Sequence, residues 1–248
     1  MTIRTKISST GFFHSDSNFL MRQLLLVAAL YCTALSAAPL TNDGIKAMVD
    51  AHNAVRQRVA QEESARLGGT VSIPDLTWDP DIAAIAQQWA DNLINQNPPK
   101  LCHRCGGNAC DPPLGPNQCD ANHDDLGENL YYAWSTGNVD QAAKTAVKDW
   151  ASEKQWYHYN QTPGCDSGRQ CGHYTQLVWS NTQRLGCGKA VRKVQLSSTQ
   201  ERTYVVWVCN YAPAGNITGQ YPYAVNRGDG VINDGGTNGG NQKTRSAP

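Results

Sequence analysis

Gly172-His173-Tyr174-Thr175-Gln176-Leu177-Val178-Trp179 is the stretch on which the reading of this 248-residue chain turns. It places a titratable histidine four residues ahead of the apolar run Leu177-Val178-Trp179. Gly186-Cys187 follows, and then Trp207-Val208-Cys209-Asn210-Tyr211-Ala212-Pro213-Ala214-Gly215-Asn216-Ile217. Around these segments, residues 184–193 and 203–211 read as strands. Tyr204-Val205-Val206-Trp207-Val208 is nearly unbroken in β-formers, which predicts a central strand covered on both faces. Upstream, the period changes to that of helices. Ile45, Met48, Val49, His52, Val55 and Val59 recur at three- and four-residue steps over 42–61, with Asn42 or Asp43 as the cap. Asp79-Pro80 opens a second helix, a capping side chain followed by proline at the first helical position, with Ile82, Ile85, Ala86, Trp89 and Leu93 on its inner face. A third helix runs from about Val139 to Glu153, turning Val139, Ala143, Ala146, Val147 and Trp150 inward. Helices followed by late strands imply an α+β fold.

The ends and one insertion are made of different material. Met21-Arg22, the apolar run 24–30 and the small residues Ala34, Ser36, Ala37 and Ala38 form the charged, apolar and cleavage regions of a secretory signal peptide. Residues 1–38 are therefore expected to be a leader, with translation starting at Met1 or Met21. No apolar run past residue 40 approaches the roughly 20 residues that span a bilayer. Residues 99–122 hold Cys102, Cys105, Cys110 and Cys119 with four prolines and three glycines, an irregular stapled loop. Residues 227–248 are Gly/Asn-rich and too poor in apolar side chains to order themselves. The globular unit is thus about 41–226.

Lys+Arg and Asp+Glu are both 21. Loss of residues 1–37 removes Arg4, Lys6, Arg22 and Asp16, leaving 18 basic and 20 acidic residues. That balance gives no footing for nucleic acid or an anionic membrane. Cys32 would leave with the leader, so eight cysteines remain. An even number in an exported domain reads as a disulfide framework. The four in the insertion allow three pairings, and Cys102-His103-Arg104-Cys105 also has the spacing of a zinc step; an exported, proline-rich loop favours the disulfides.

Taken in order with Gly127-Glu128-Asn129-Leu130, the segment 150–159 and Gly219-Gln220-Tyr221-Pro222-Tyr223, these stretches resemble the CAP superfamily. Its members are the cysteine-rich secretory proteins, insect antigen 5 and the plant pathogenesis-related class 1 proteins. The resemblance covers about 180 residues. It implies a three-layer α-β-α sandwich with a small, largely antiparallel central sheet, stapled by Cys165–Cys171 and Cys187–Cys209. It also implies a cleft of two histidines and two glutamates, which fall on His123, Glu128, Glu153 and His173. His123 stands five residues before Glu128, as in the plant members, but its flanking residues differ and it follows the insertion.

Neutral imidazoles and carboxylates suit Zn2+ or another divalent cation, and without metal a Glu–His pair can exchange protons near neutrality. The same four residues can equally form a hydrogen-bonded network that fixes the fold. His52, inside the apolar stripe of the first helix, reads as a core residue. Ser180 has neither the elbow nor the neighbouring base of a hydrolase nucleophile. Trp156, Tyr157 and Tyr159 lie in the region where some relatives bind sterols or fatty acids, and such rings suit an amphipathic ligand or an ordinary core. Asn160-Gln161-Thr162 and Asn216-Ile217-Thr218 are glycosylation sequons. The expected function is a secreted binding protein for a small lipid or sterol. The alternatives are a metal-dependent hydrolase and an effector acting on another secreted or cell-surface protein.

Overall fold

The structure, a computed structural model, describes residues 40–96, 99, 101–104, 126–136, 141–162 and 164–228. The leader, most of the insertion with Cys105, Cys110, Cys119 and His123, and the tail past Gly228 lie outside the described residues.

Among the described residues, four α-helices and six strands follow one another as α1 (Asn42–Leu67), β1 (Thr70–Val71), β2 (Thr77–Trp78), α2 (Pro80–Ile94), β3 (Gly127–Ser135), α3 (Ala143–Ser152), α4 (Gly172–Leu177), β4 (Arg184–Gln195), β5 (Glu201–Ala212) and β6 (Val225–Asn226). A 3-10 turn, Glu153–Trp156, continues α3. The main sheet has the order β2-β4-β5-β3, antiparallel except for the β2–β4 pair. A separate two-stranded ribbon pairs β1 with β6. β5 lies between β4 and β3 and is buried from Thr203 to Ala212, as its run of β-formers predicts.

Alternation along β5 divides the core into two layers. Val205, Trp207, Cys209 and Tyr211 join the cluster of Met48, Val59, Trp150, Tyr174 and Leu177 under α1, α3 and α4. Tyr204, Val206 and Val208 join Ala86, Trp89, Ala90 and Leu93 of α2. The result is an α-β-α sandwich. The close approach of α2 depends on two glycines. A Cβ on Gly186 would collide with the backbone of Ala83, and one on Gly188 with that of Gln87.

The helix caps refine the sequence reading. Asp79 caps α2 as expected, its Oδ1 accepting from the amides of Asp81 at 3.0 Å and Ile82 at 3.2 Å. For α1 the cap is Thr41, not Asn42 or Asp43. Its Oγ1 accepts from Gly44 N at 3.2 Å, which leaves the next two residues inside the helix. α1 also runs beyond residue 61 to Leu67, where Gly68 at φ 66° takes the left-handed position that ends it. Among the described residues, no helix is long and apolar enough to cross a membrane.

Candidate functional site

Two histidine–glutamate pairs flank the start of β3. In the first, Glu153 opens the 3-10 turn and is 8% exposed. Its Oε1 accepts from His173 Nδ1 at 2.6 Å, while Oε2 accepts from the backbone amides of His173 at 3.0 Å and Tyr174 at 3.1 Å. One carboxylate thus orients the imidazole and satisfies two amides at the start of α4. The His173 ring stacks on Trp150, with centroids 6.3 Å apart, and its Nδ1–H points toward Glu153.

In the second pair the partner of Glu128 is His103, which the sequence reading had weighed only with the cysteines. His103 Nδ1 lies 2.9 Å from Glu128 Oε1, which also accepts from Arg104 N at 3.0 Å. Glu128 Oε2 accepts from Asn210 Nδ2 at 3.3 Å. The bond to Glu128 and its charge outweigh burial and hold the His103 imidazole above its ordinary pKa. Cys102, next to it, is disulfide-bonded and so offers no thiolate. The Cys-x2-Cys step therefore gives no zinc site through Cys102.

Asn129, the next residue on β3, ties this strand to the first pair. Its Nδ2 donates to His173 O at 3.0 Å and to Tyr211 Oη at 3.2 Å. Tyr211 Oη in turn lies 3.0 Å from His52 Nε2, and His52 Nδ1 lies 2.8 Å from Met48 O. A carbonyl can only accept, so Nδ1 carries the proton and Nε2 accepts from the tyrosine. Burial lowers the His52 pKa to about 4, and the imidazole is neutral. His52 is a core residue, as its place in the apolar stripe implies. Unforeseen was Arg56, one turn further on and fully buried. It donates to Pro74 O, Leu177 O, Trp179 O and Thr182 O at 2.7–3.1 Å.

Among the described residues, no three His, Cys, Asp or Glu side chains stand close enough to hold a metal ion. Glu153 and Glu128 both spend their oxygens on N–H donors. Two further bridges staple the fold: Cys165–Cys171, and Cys187–Cys209 across directly paired residues of β4 and β5.

A cavity of about 370 Å³ opens between the C-terminal turns of α1 and the 3-10 turn. Tyr157, Tyr159, Tyr174 and Tyr223 form one wall. Tyr159 stacks flat on Tyr223, centroids 5.2 Å apart, and Tyr157 packs against Tyr174 at 5.5 Å. Burial raises the phenol pKa of Tyr157, Tyr174 and Tyr223. The rest of the lining is largely ionic. Lys154 Nζ bridges Glu62 at 2.6 Å and Glu63 at 3.0 Å, and Arg66 Nε donates to Glu63 at 2.9 Å. Burial pushes the Glu63 carboxyl up, but Arg66 and Lys154 together hold it below the usual carboxylate range. Tyr157 and Tyr159 thus stand in the cavity wall. Trp156 is not among its lining residues and instead lies under the Arg169 guanidinium, 4.9 Å away.

With this geometry in view, the comparisons with known proteins fall in one group. The CAP model, the Cysteine-rich secretory protein family, matches residues 49–211. Pathogenesis-related protein 1C of Nicotiana tabacum is 33% identical over 211 residues, 85% of this chain and 97% of that protein. Venom allergen 3 of Solenopsis invicta is 30% identical over 79% of this chain and 78% of its own length. The chain spans only 38% of human and 30% of mouse peptidase inhibitor 16, which it also matches. Among solved structures, BmVAL-1 aligns with TM-score 0.55 at 24% identity, covering 75% of this chain and 84% of that one, a likeness of fold.

Proposed function

This chain belongs to the cysteine-rich secretory protein (CAP) family, and we propose that it is a secreted binding protein holding a small amphipathic lipid or sterol in the tyrosine cavity. The observation that carries this reading is the division of that cavity into an aromatic wall and an ionic one. An apolar ligand body packs on the rings of Tyr157 and Tyr159, gaining about 25 cal/mol per Å² of carbon surface removed from water. A ligand hydroxyl finds partners in Glu63, Arg66 and Lys154. At about 370 Å³ the cavity is at the lower end of the range for small-molecule sites, so part of a larger ligand would stay at the mouth. The export pattern at the N-terminus and the disulfides agree with action outside the cell.

The two histidine–glutamate pairs serve this reading as clamps. Glu153 fixes the start of α4, from which Tyr174 reaches the cavity wall. For a divalent cation the two pairs offer only the Nε2 atoms of His173 and His103, each imidazole oriented by a carboxylate as metal-bound imidazoles usually are. Any other ligand would have to come from outside these pairs.

The test is titration of the secreted protein with a fluorescent sterol and a fluorescent fatty acid, alongside Tyr159→Ala. Saturable binding of one of them, weakened about tenfold or more by the loss of the ring, is expected. Absence of saturable binding by both removes the reading.

A further inference from the structure

Two hydroxyls in the tyrosine cavity are left over by the fold. Tyr174 and Tyr223 line that cavity and are 0% and 2% exposed, yet neither hydroxyl has a hydrogen-bond partner among the described residues. Buried hydroxyls ordinarily find one. The two phenols are neighbours, and at most one of their protons can be given to the other oxygen, so at least one O–H has no acceptor. Burial, reinforced by the charge of Glu63, keeps both phenols protonated and hence donors. The rings themselves are held, Tyr223 against Tyr159 and Tyr174 against Tyr157, so the hydroxyls cannot turn away to an acceptor elsewhere.

The neighbouring charges limit what the missing acceptor can be. Glu63 is 3% exposed and pairs with Lys154 and Arg66, yet it still bears on both phenols as a negative charge. At Tyr174 the charge of Glu62 adds to it and that of Arg66 opposes it. A carboxylate laid against the phenols would meet this negative charge after giving up its own water. A neutral hydroxyl meets no such repulsion. Its oxygen accepts from a phenol, and Glu63 Oε1, which takes the Lys154 ammonium, has a second lone pair for its proton.

We propose that Tyr174 and Tyr223 seat the polar end of the ligand, and that this end is the neutral hydroxyl of a lipid alcohol, such as a sterol, and not the carboxylate of a fatty acid. This rests on the reading of the tyrosine cavity as a lipid site and narrows it to one of its two ligand classes. The apolar body then runs along Tyr157 and Tyr159 toward the mouth. The two hydroxyls contribute recognition of the ligand and nothing to the packing of the empty protein.

The experiment compares two heads on one tail. The fluorescent cis-parinaric acid and parinaryl alcohol, with dehydroergosterol as the sterol, are titrated at neutral pH into the secreted protein and into the double variant Tyr174→Phe, Tyr223→Phe. Both alcohols are expected to bind, and the acid to bind more weakly than parinaryl alcohol by about tenfold or more. The double change should weaken both alcohols by about tenfold and the acid far less, which closes the gap between the heads. Because the hydroxyls it removes have no partner, the melting temperature of the variant should hold or rise. An acid that binds as tightly as its alcohol, or alcohols that the double change leaves untouched, overturns the proposal while the cavity stays a lipid site. A variant that melts well below the parent shows the hydroxyls bonded within the fold and overturns it too. Saturable binding by none of the three probes removes the reading of the cavity, and the proposal with it.

Discussion

The helices α1 and α3 share a cavity at each of their two ends, and the two cavities are built from opposite materials. At the C-terminal end, four tyrosines face a closed network of two acids and two bases, in which Glu62 and Glu63 answer Arg66 and Lys154. At the N-terminal end, where Leu40, Ala47, Ala142 and Trp207 line a second cavity of about 340 Å³, the charged lining residues, among the described residues, are two lysines, Lys144 and Lys189. The same pair of helices thus presents a charge-balanced, aromatic site at one end and, among the described residues, a site whose charged lining is two lysines at the other. Helix polarity contributes to the difference, since N-terminal ends favour anions. The rest comes from which strand residues reach each end: Trp207 and Lys189 at one, Tyr223 just before β6 at the other.

Between the cavities, α1 is anchored by polar groups, and removing that anchor is the largest disturbance available. Arg56→Met would strand four carbonyls on the chain around β2 and α4. Chemical denaturation should show a loss of roughly 4 kcal/mol, with both cavities disturbed together. A loss below about 1 kcal/mol would mean that the two ends of α1 are held independently.

Acid separates the anchor from the cavity chemistry. His52 has a folded pKa of about 4 against an ordinary 6.5, so below pH 6.5 the unfolded chain takes up a proton that the folded chain refuses. Stability should fall as pH drops from 6.5 to 4, by roughly 3 kcal/mol at most, and this group adds nothing outside that window. His103, raised by Glu128, works in the opposite sense: its contribution is present below its ordinary pKa and is lost as pH rises through the raised value. Its side chain is half exposed, which keeps that effect small. His52→Gln should flatten the acid limb in stability measurements from pH 7 to 4; an unchanged slope would assign it to other groups.

A smaller effect reaches one cavity only. Glu153→Gln replaces an acceptor of three N–H groups by an amide that must turn its own N–H₂ toward one of them. A loss of about 1–3 kcal/mol is expected, or roughly 2–4 °C in Tm for each kcal/mol in a chain of this size. Sterol binding should weaken through Tyr174, while the indole resonance of Trp207 at the lysine end stays as it was. A shift of that resonance as well would show that the clamp acts on the whole helical layer.

Regular elements with strong local signals were legible in the sequence. The Asp79-Pro80 start of α2 and the buried run of β5 needed no tertiary information. β3 was read only as the Gly127–Leu130 motif, and α4 only as the His173 motif, because short elements carry too few residues to show a period. Arg56 and Glu63 were passed over for their polarity, yet they continue the buried series Met48, His52, Arg56, Val59, Glu63 along one face of α1. In the candidate site, the sequence pointed to Glu128, Glu153 and His173 but not to the partner of Glu128. His103 lies 25 residues from Glu128 along the chain and reaches it through the fold, beside the bonded Cys102. The family resemblance placed a histidine of the cleft at His123, which lies outside the described residues. The second cavity had no sequence signal, because its lining comes from four separated segments.

The central claim, that the tyrosine end holds the amphipathic ligand, is tested most directly by photo-crosslinking. A photoreactive sterol and a photoreactive fatty acid are each bound to the secreted protein, and the labelled peptides are located by mass spectrometry. The account predicts labelling confined to residues 62–66 and 154–161, Tyr174 and Tyr223, and suppressed by excess unlabelled ligand. Labelling at Lys144, Lys189 or Trp207 instead, or labelling that excess ligand does not suppress, would contradict it.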